Sequence, residues 1–281
     1  MLAYWKLLKP RLSLLVVLST LLSFAYASDV FPEPFVWCIL GVSGFFITGA
    51  ANTVNQMIEI RLDALMHRTR NRPMPTAQVS NTSALLYSLV LLLSGIVAIA
   101  YWFNLYAALL SLISFALYAF IYTPLKPRTP LSVLIGALPG ALPVLVGCIA
   151  AGNRFQPDYF ILFGIQFFWQ FPHFWAIAWV LDEDYQRAGF RLLPFGREKD
   201  STAAYYIFIY TVAMVLVSLF PSFLHLTGNW YTVVAAVGGI GFLWATIRHM
   251  RSLSTASARV VMFYSFFYLP LLQLLLAIDK L

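Results

Sequence analysis

Charge is the scarcest property of this chain. Asp, Glu, Lys and Arg together make up 10% of its 281 residues, against 61% hydrophobic residues, whereas a soluble domain carries roughly 25% charged residues. A water-soluble globule is excluded, because too little polar surface is available to cover it. Cysteine is almost absent: Cys38 and Cys148 are the two present, they lie far apart in apolar runs, and they exclude a disulfide framework and a thiolate metal cluster. Also missing are a Walker loop, a G-x-S-x-G elbow, a C-x-x-C-H haem attachment and a zincin helix. These gaps remove the familiar nucleotide-dependent, serine-hydrolase and zinc-protease classes.

What the chain does have is long apolar runs. A spanning helix needs about 20 mostly apolar residues, and such runs cover roughly 12–28, 35–54, 83–102, 105–122, 131–151, 159–181, 203–224, 230–248 and 260–278. They are continuous rather than alternating in period two, which predicts helices and not the strands of a membrane barrel. The expected fold is therefore an all-α membrane protein, a single domain over 1–281 with about nine transmembrane helices in one bundle and the lipid bilayer as its solvent. The formal charge of +7 suggests nucleic acid at first, but the cations are scattered among short loops, so no nucleic-acid partner is expected. With nine spans, all Lys and Arg except Arg154 and Lys280 fall on one side, Arg197 among them. The positive-inside rule makes that side cytoplasmic and puts the N-terminus there. The first apolar run lacks a small-residue cleavage site and reads as a retained span; a bacterial inner membrane fits.

The few acids are not scattered. Of 11, Glu59, Asp63, Asp182, Glu183, Asp184, Glu198 and Asp200 lie in or beside two hydrophilic stretches, 55–82 and 182–202, on the cytoplasmic side. Asn52, Asn55, Glu59 and Asp63 are spaced three, four and four apart, so a continuing helix puts all four on one face. Oxygen ligands so arranged suit Mg²⁺, which binds through one or two carboxylates plus waters and substrate phosphates. A wet helix end is the plainer reading for a single acid; four polar groups in register beside Arg68, Arg70 and Arg72 favour a site. In the second stretch, Asp182 and Asp184 do not share a helix face and stand where the sixth span ends, before Gly189 and Pro194. Within that span Gln166, Gln170 and His173 form a polar stripe, either an interhelical hydrogen-bonding seam or a functional surface. Lys126 and Arg128 add charge to the same side. Mg²⁺ on carboxylates with Arg and Lys on the remaining oxygens is what a diphosphate needs. Gly136, Pro139, Gly140, Pro143 and Gly147 in the fifth span predict close, bent packing, with a groove for an apolar tail as the alternative.

With both acidic stretches in view, the chain resembles the UbiA superfamily of intramembrane prenyltransferases, whose first motif is N-D-x-x-D-x-x-x-D; here Asn55, Gln56, Glu59 and Asp63 occupy its positions. Within that superfamily it is most similar to the protohaem IX farnesyltransferases, through KPR at 9–11, RTRNRPMP at 68–75, YTPLKPRTP at 122–130, PHFWAIA at 172–178 and DYQRAGFRLLP at 184–194. The resemblance implies a nine-helix bundle around a central cavity, Mg²⁺ as cofactor, and transfer of a farnesyl group from farnesyl diphosphate to a vinyl carbon of haem B, giving haem O and diphosphate. It implies metal binding by Asn55, Glu59 and Asp63, then Asp184 and Asp182, with diphosphate held by Asn52, Asn55, Arg68, Arg72 and Lys126. Asp63, Asp184 and Lys126 become the expected catalytic residues, and His173 with Gln170 the expected haem contacts. Trp169, Phe171, Phe174 and Trp175 could shelter an allylic cation. Gln56 and Glu59, each at an Asp position of the motif, and Ser132, where these enzymes often have Asn, depart from the pattern. A prenyltransferase for an aromatic or quinone acceptor, or a transporter, are the competing classes; a downstream haem-modifying enzyme is a conceivable partner.

Overall fold

A computed structural model describes the chain apart from Phe31, Asn153 and Arg197; the loop cation Arg197 thus lies outside the described residues. The chain runs through α1 (Leu2–Leu7), α2 (Pro10–Ala27), α3 (Pro34–Ile58), α4 (Ile60–Leu65), α5 (Asn81–Trp102) and α6 (Leu105–Ala116). A π-helical turn, Leu117–Tyr122, then leads into α7 (Thr123–Leu125). The second half comprises α8 (Ser132–Gly152), α9 (Pro157–Val180), α10 (Asp182–Arg187), α11 (Ser201–Phe223), α12 (Asn229–Ser252) and α13 (Thr255–Ile278). Among the described residues nine helices are long and apolar enough to cross a membrane, in the nine regions that hydropathy marks.

Local chemistry sets the helix ends. Proline opens α2, α3 and α9, where its missing N–H costs nothing and its φ is already helical. Ser80, Asn104, Asp200 and Ser254 cap α5, α6, α11 and α13 by accepting from the backbone N–H three residues on, as N-caps do. One boundary differs from expectation in a telling way: α3 continues past 54 to Ile58. Its last turns carry Asn52, Asn55 and Gln56, each only 1% exposed, so these polar side chains sit inside the bundle rather than in a loop.

The helices pack in a closed sequence of neighbours: α2 on α3, α3 on α5, α5 on α6, α6 and α2 on α8, α8 on α9, α9 on α11, α11 on α12 and α12 on α13, with α13 also against α9 and α2. The most deeply buried span is α8, which lies against α2, α6 and α9. Its small residues explain the fit: a Cβ on Gly147 would strike the Thr20 carbonyl and the Ser23 hydroxyl of α2. Pro143 has no N–H for the carbonyl of Pro139 four residues earlier, and the Ser114 hydroxyl donates to that carbonyl at 2.9 Å. The expected close packing in the fifth span is thus what the glycines and prolines do. Gly147→Ala should cost about 1–3 kcal/mol by overpacking, read as a lowered melting temperature in detergent. Large apolar side chains such as Leu93, Val97, Ile240 and Phe267 face outward, which suits lipid and not water.

Candidate active site

The site begins at a break in the chain between α1 and α2. Lys9, at the N-cap of α2, holds a left-handed backbone (φ 46°, ψ 61°). A residue before proline is disfavoured in the right-handed helical region, and a lysine in the left-handed region stores strain of about 1–3 kcal/mol, a feature that clusters at functional sites. Two amides of α3 hold the break in place. Asn52 Nδ2 donates to the Leu8 carbonyl at 3.3 Å and to Ser13 Oγ at 3.1 Å, and Gln56 Nε2 donates to the Leu7 carbonyl at 2.8 Å. Lys9 Nζ is thereby aimed at Asn55 Oδ1, 2.9 Å away.

One turn further on, the axis is interrupted at Glu59 (φ −90°, ψ 10°) and resumes as α4, yet the hydrogen bonds from Glu59 to Asn55 and from Asp63 to Glu59 are kept. Asn55, Glu59 and Asp63 therefore stay in register as their spacing predicts. Each oxygen donor meets a cation. Lys126 Nζ donates to Glu59 Oε1 at 2.8 Å, and Arg72 Nη1 lies 2.8 Å from both oxygens of Asp63. Glu59 is 2% and Asp63 0% exposed, so these are buried pairs.

Lys126 reaches Glu59 because of the π-helical turn before it, a distortion that often marks functional positions. The turn lets the Thr123 hydroxyl donate to the Tyr118 carbonyl at 2.8 Å while accepting from Asn55 Nδ2 at 3.1 Å. The Lys126 ammonium also lies over the rings of Tyr122 and Phe190, at 5.4 and 5.3 Å. Burial works against its charge, but Glu59 and the two tyrosines Tyr122 and Tyr118 outweigh it and hold its pKa above the usual lysine range. Lys9 is the opposite case. Burial and the neighbouring Arg72 push it down to about 7 against the pull of Glu59.

The second acidic stretch sits across from the first. Asp184 accepts from the backbone N–H of His67 at 2.8 Å and of Arg68 at 3.1 Å, with Arg187 Nη1 at 3.6 Å. Its carboxylate therefore joins the loop after α4 to α10. Asp182 lies apart, accepting from Gln186 at 2.9 Å with Lys199 at 3.7 Å. Arg68 is exposed, with its guanidinium 6.0 Å from the Tyr185 ring. Deeper in α9, Gln170 Nε2 donates to the Ala137 carbonyl of α8 at 2.8 Å. His173 Nδ1 pairs with Ser265 Oγ of α13 at 2.8 Å and its ring stacks on Trp169, with centroids 4.2 Å apart.

Among the described residues no three acidic, histidine or cysteine side chains converge into a metal cage. Mg²⁺ does not need one, since it binds through one or two carboxylates and completes its shell with waters and substrate phosphates. The donors here fit that habit. They are all hard oxygens, from one amide and two carboxylates; Arg72 and Lys126 are placed to exchange carboxylate for phosphate, and Lys9 to exchange the Asn55 amide oxygen for it. Lys9, Thr123 and Tyr122 are members of this cluster that spacing did not single out. The KPR and YTPLKPRTP passages contained them, but only the fold shows what they touch.

The family model for the UbiA prenyltransferase family matches residues 16–269. A protoheme IX farnesyltransferase of Cytophaga hutchinsonii is 40% identical over 278 residues, which are 99% of this chain and 97% of that relative. Another, of Christiangramia forsetii, is 40% identical over 97% of this chain and 91% of its own length. In fold the chain is similar to a digeranylgeranylglyceryl phosphate synthase, with a TM-score of 0.81 at 19% identity over 99% of this chain and 97% of that one. It is also similar to a UbiA homolog from Archaeoglobus fulgidus bound to DMAPP and Mg²⁺, with a TM-score of 0.70 at 16% identity over 95% and 99%. A match over most of the chain, relatives at this identity over nearly their full length and the shared fold together make this chain a member of the UbiA prenyltransferase family.

Proposed function

We infer that the chain transfers a farnesyl group from farnesyl diphosphate to the outer vinyl carbon of protohaem IX while water adds to the inner one and loses a proton, giving haem O and diphosphate, with Mg²⁺ as cofactor. The observation that carries this reading is the buried cluster at the end of α3. Lys9, Arg72 and Lys126 contribute three cationic groups against the carboxylates of Glu59 and Asp63. A bound polyanion is favoured here because it would pair with Arg72 and Lys126 and would hold Lys9, whose charge burial opposes in the empty site, in its protonated form. Near full-length similarity to protoheme IX farnesyltransferases supplies the acceptor.

The residues divide the work by charge. Asn55, Glu59 and Asp63 would hold Mg²⁺, which would supply Lewis-acid neutralisation of the diphosphate charge. Arg72 and Lys126 give up their carboxylate partners and bind phosphate oxygens, as does Lys9, so charge on the departing diphosphate is stabilised by groups already in place. No protein nucleophile is required, because the allylic C–O bond ionises once its leaving group is stabilised. Asp184 keeps the loop bearing Arg68 and Arg72 closed over the cluster. The aromatic faces of α9 shield the allylic cation from water. His173 would meet the haem, with Nδ1 anchored on Ser265 and Nε2 left to face the acceptor. The cation-rich side of the bundle faces the cytoplasm in a bacterial inner membrane. The apolar product remains in the bilayer, where a haem-modifying enzyme can collect it.

Purified protein incubated with farnesyl diphosphate and an equimolar mixture of haem B and a hydroxylated aromatic acid should yield haem O alone, and only with Mg²⁺ present. Mass analysis that found the aromatic product, or substrate flux without chemistry, would overturn the assignment.

A further inference from the structure

We propose that a polar floor built by Ser19, Gln166 and Gln273 ends the channel for the isoprenoid tail and sets its length at fifteen carbons. This rests on the farnesyl-transfer reading above. Ser19 Oγ of α2 donates to Gln273 Oε1 of α13 at 3.0 Å, Gln273 Nε2 donates to Gln166 Oε1 of α9 at 2.8 Å, and Gln166 Nε2 donates to the Gly140 carbonyl of α8 at 3.3 Å. The chain of bonds crosses the four helices at the centre of the bundle, and both glutamine amides are satisfied on each side. Polar groups at membrane depth are costly unless paired, so this set is held shut.

The floor separates two regions. On its diphosphate side, the same faces of α2 and α13 carry Leu12, Leu15 and Phe266, which are 47%, 50% and 38% exposed. At the floor itself Ser19, Gln166 and Gln273 are 7%, 7% and 8% exposed. On the far side lies a small apolar pocket lined by Leu22, Val144, Leu162, Leu276 and Gln273 itself. The register is consistent on every helix: Leu22 and Leu276 lie three residues deeper than Ser19 and Gln273, and Leu162 and Val144 four deeper than Gln166 and Gly140.

Depth then matches substrate length. Ser19 is ten residues beyond Lys9 on α2, about 15 Å at the helical rise. A farnesyl group has a main chain of twelve carbons, about 14 Å when extended with bonds of ~1.5 Å. A further isoprene unit adds about 5 Å at the same bond length, close to the ~4.5 Å from Ser19 to Leu22 at the helical rise. The pocket beneath is itself only about water-sized, so the room for one more unit would come from the side-chain volume that truncating Gln273 or Gln166 removes at the floor.

The test compares farnesyl and geranylgeranyl diphosphate as donors to haem B with Mg²⁺, in the unaltered protein, Gln273→Ala and Gln166→Ala. The unaltered protein should use the C15 donor and largely reject the C20 donor. Each variant should raise the C20-to-C15 ratio of kcat/KM about tenfold or more, within the range expected for pocket changes of a few carbons, while farnesyl transfer persists. A ratio unchanged within about twofold, with farnesyl transfer intact, would overturn the floor. If Gln273→Ala does not fold, Gln273→Asn shortens the same side chain by one carbon, keeps an amide, and is judged by the same ratio. Absence of any prenyl transfer to haem by the unaltered protein would overturn the underlying reading instead.

Discussion

Asp63→Asn is expected to reduce haem O formation by about 10²-fold or more, the scale of losing one electrostatic group matched to developing charge. The carboxylate is fully buried, and both its oxygens lie against one nitrogen of Arg72. Asparagine removes the charge that would bind Mg²⁺ and turns an N–H donor toward a guanidinium that can only donate. Arg72 is 22% exposed, so it can turn toward water, and the fold should survive with a modestly lowered melting temperature. Asp184→Asn makes the comparison sharper. Asparagine has one acceptor where Asp184 uses two on the N–H groups of His67 and Arg68, so part of the loop closure is lost and transfer falls. Undiminished haem O formation by both variants at saturating Mg²⁺ would sink the assignment of the acidic stretches to metal and diphosphate.

The bundle was legible because lipid imposes one rule on every span: the backbone must satisfy itself within a long apolar helix. Hydropathy therefore found each of the nine spans present among the described residues. It misplaced the end of α3, since it reads Asn52, Asn55 and Gln56 as hydrophilic and cannot know that Leu7, Leu8 and Thr123 supply their partners. The π-helical turn was invisible for a similar reason. LYAFIY is as apolar as the helix before it, and the extra residue per turn is decided by tertiary contacts such as Thr123 with Asn55.

In the site, periodicity was enough to align Asn55, Glu59 and Asp63, because both four-residue steps between them keep their helical hydrogen bonds across the break at Glu59. It could not pair them. Glu59 meets Lys126 across 67 positions and Asn55 meets Lys9 across 46, which only the packing of α2, α3 and α7 brings about. Charge in the second stretch pointed toward a ligand, whereas Asp184 in this structure closes a loop with its carboxylate. The polar stripe of α9 divides between the two readings open at the outset. Gln166 and Gln170 make interhelical hydrogen bonds to α8, and His173 is held by Ser265 on one nitrogen.

The Glu59–Lys126 pair separates folding from chemistry. Lys126→Met should destabilise the protein by about 3–5 kcal/mol, because it strands the Glu59 carboxylate in a buried place without its partner. The side chains are 3% and 14% exposed, so water cannot make good the loss. Transfer should be abolished too, since the same ammonium is the one expected to bind the leaving diphosphate. Adding Glu59→Gln to Lys126→Met removes the stranded charge, and a buried pair replaced on both sides is often close to neutral in stability. The double variant should therefore recover most of the melting temperature while remaining inactive. That split is what a site held ready by ion pairs predicts, because in the folded protein each charge neutralises its neighbour and in catalysis each must let go of it. A double variant that regained haem O formation along with stability would show the pair to be structural alone, and would move the diphosphate site toward Lys9 and Arg72.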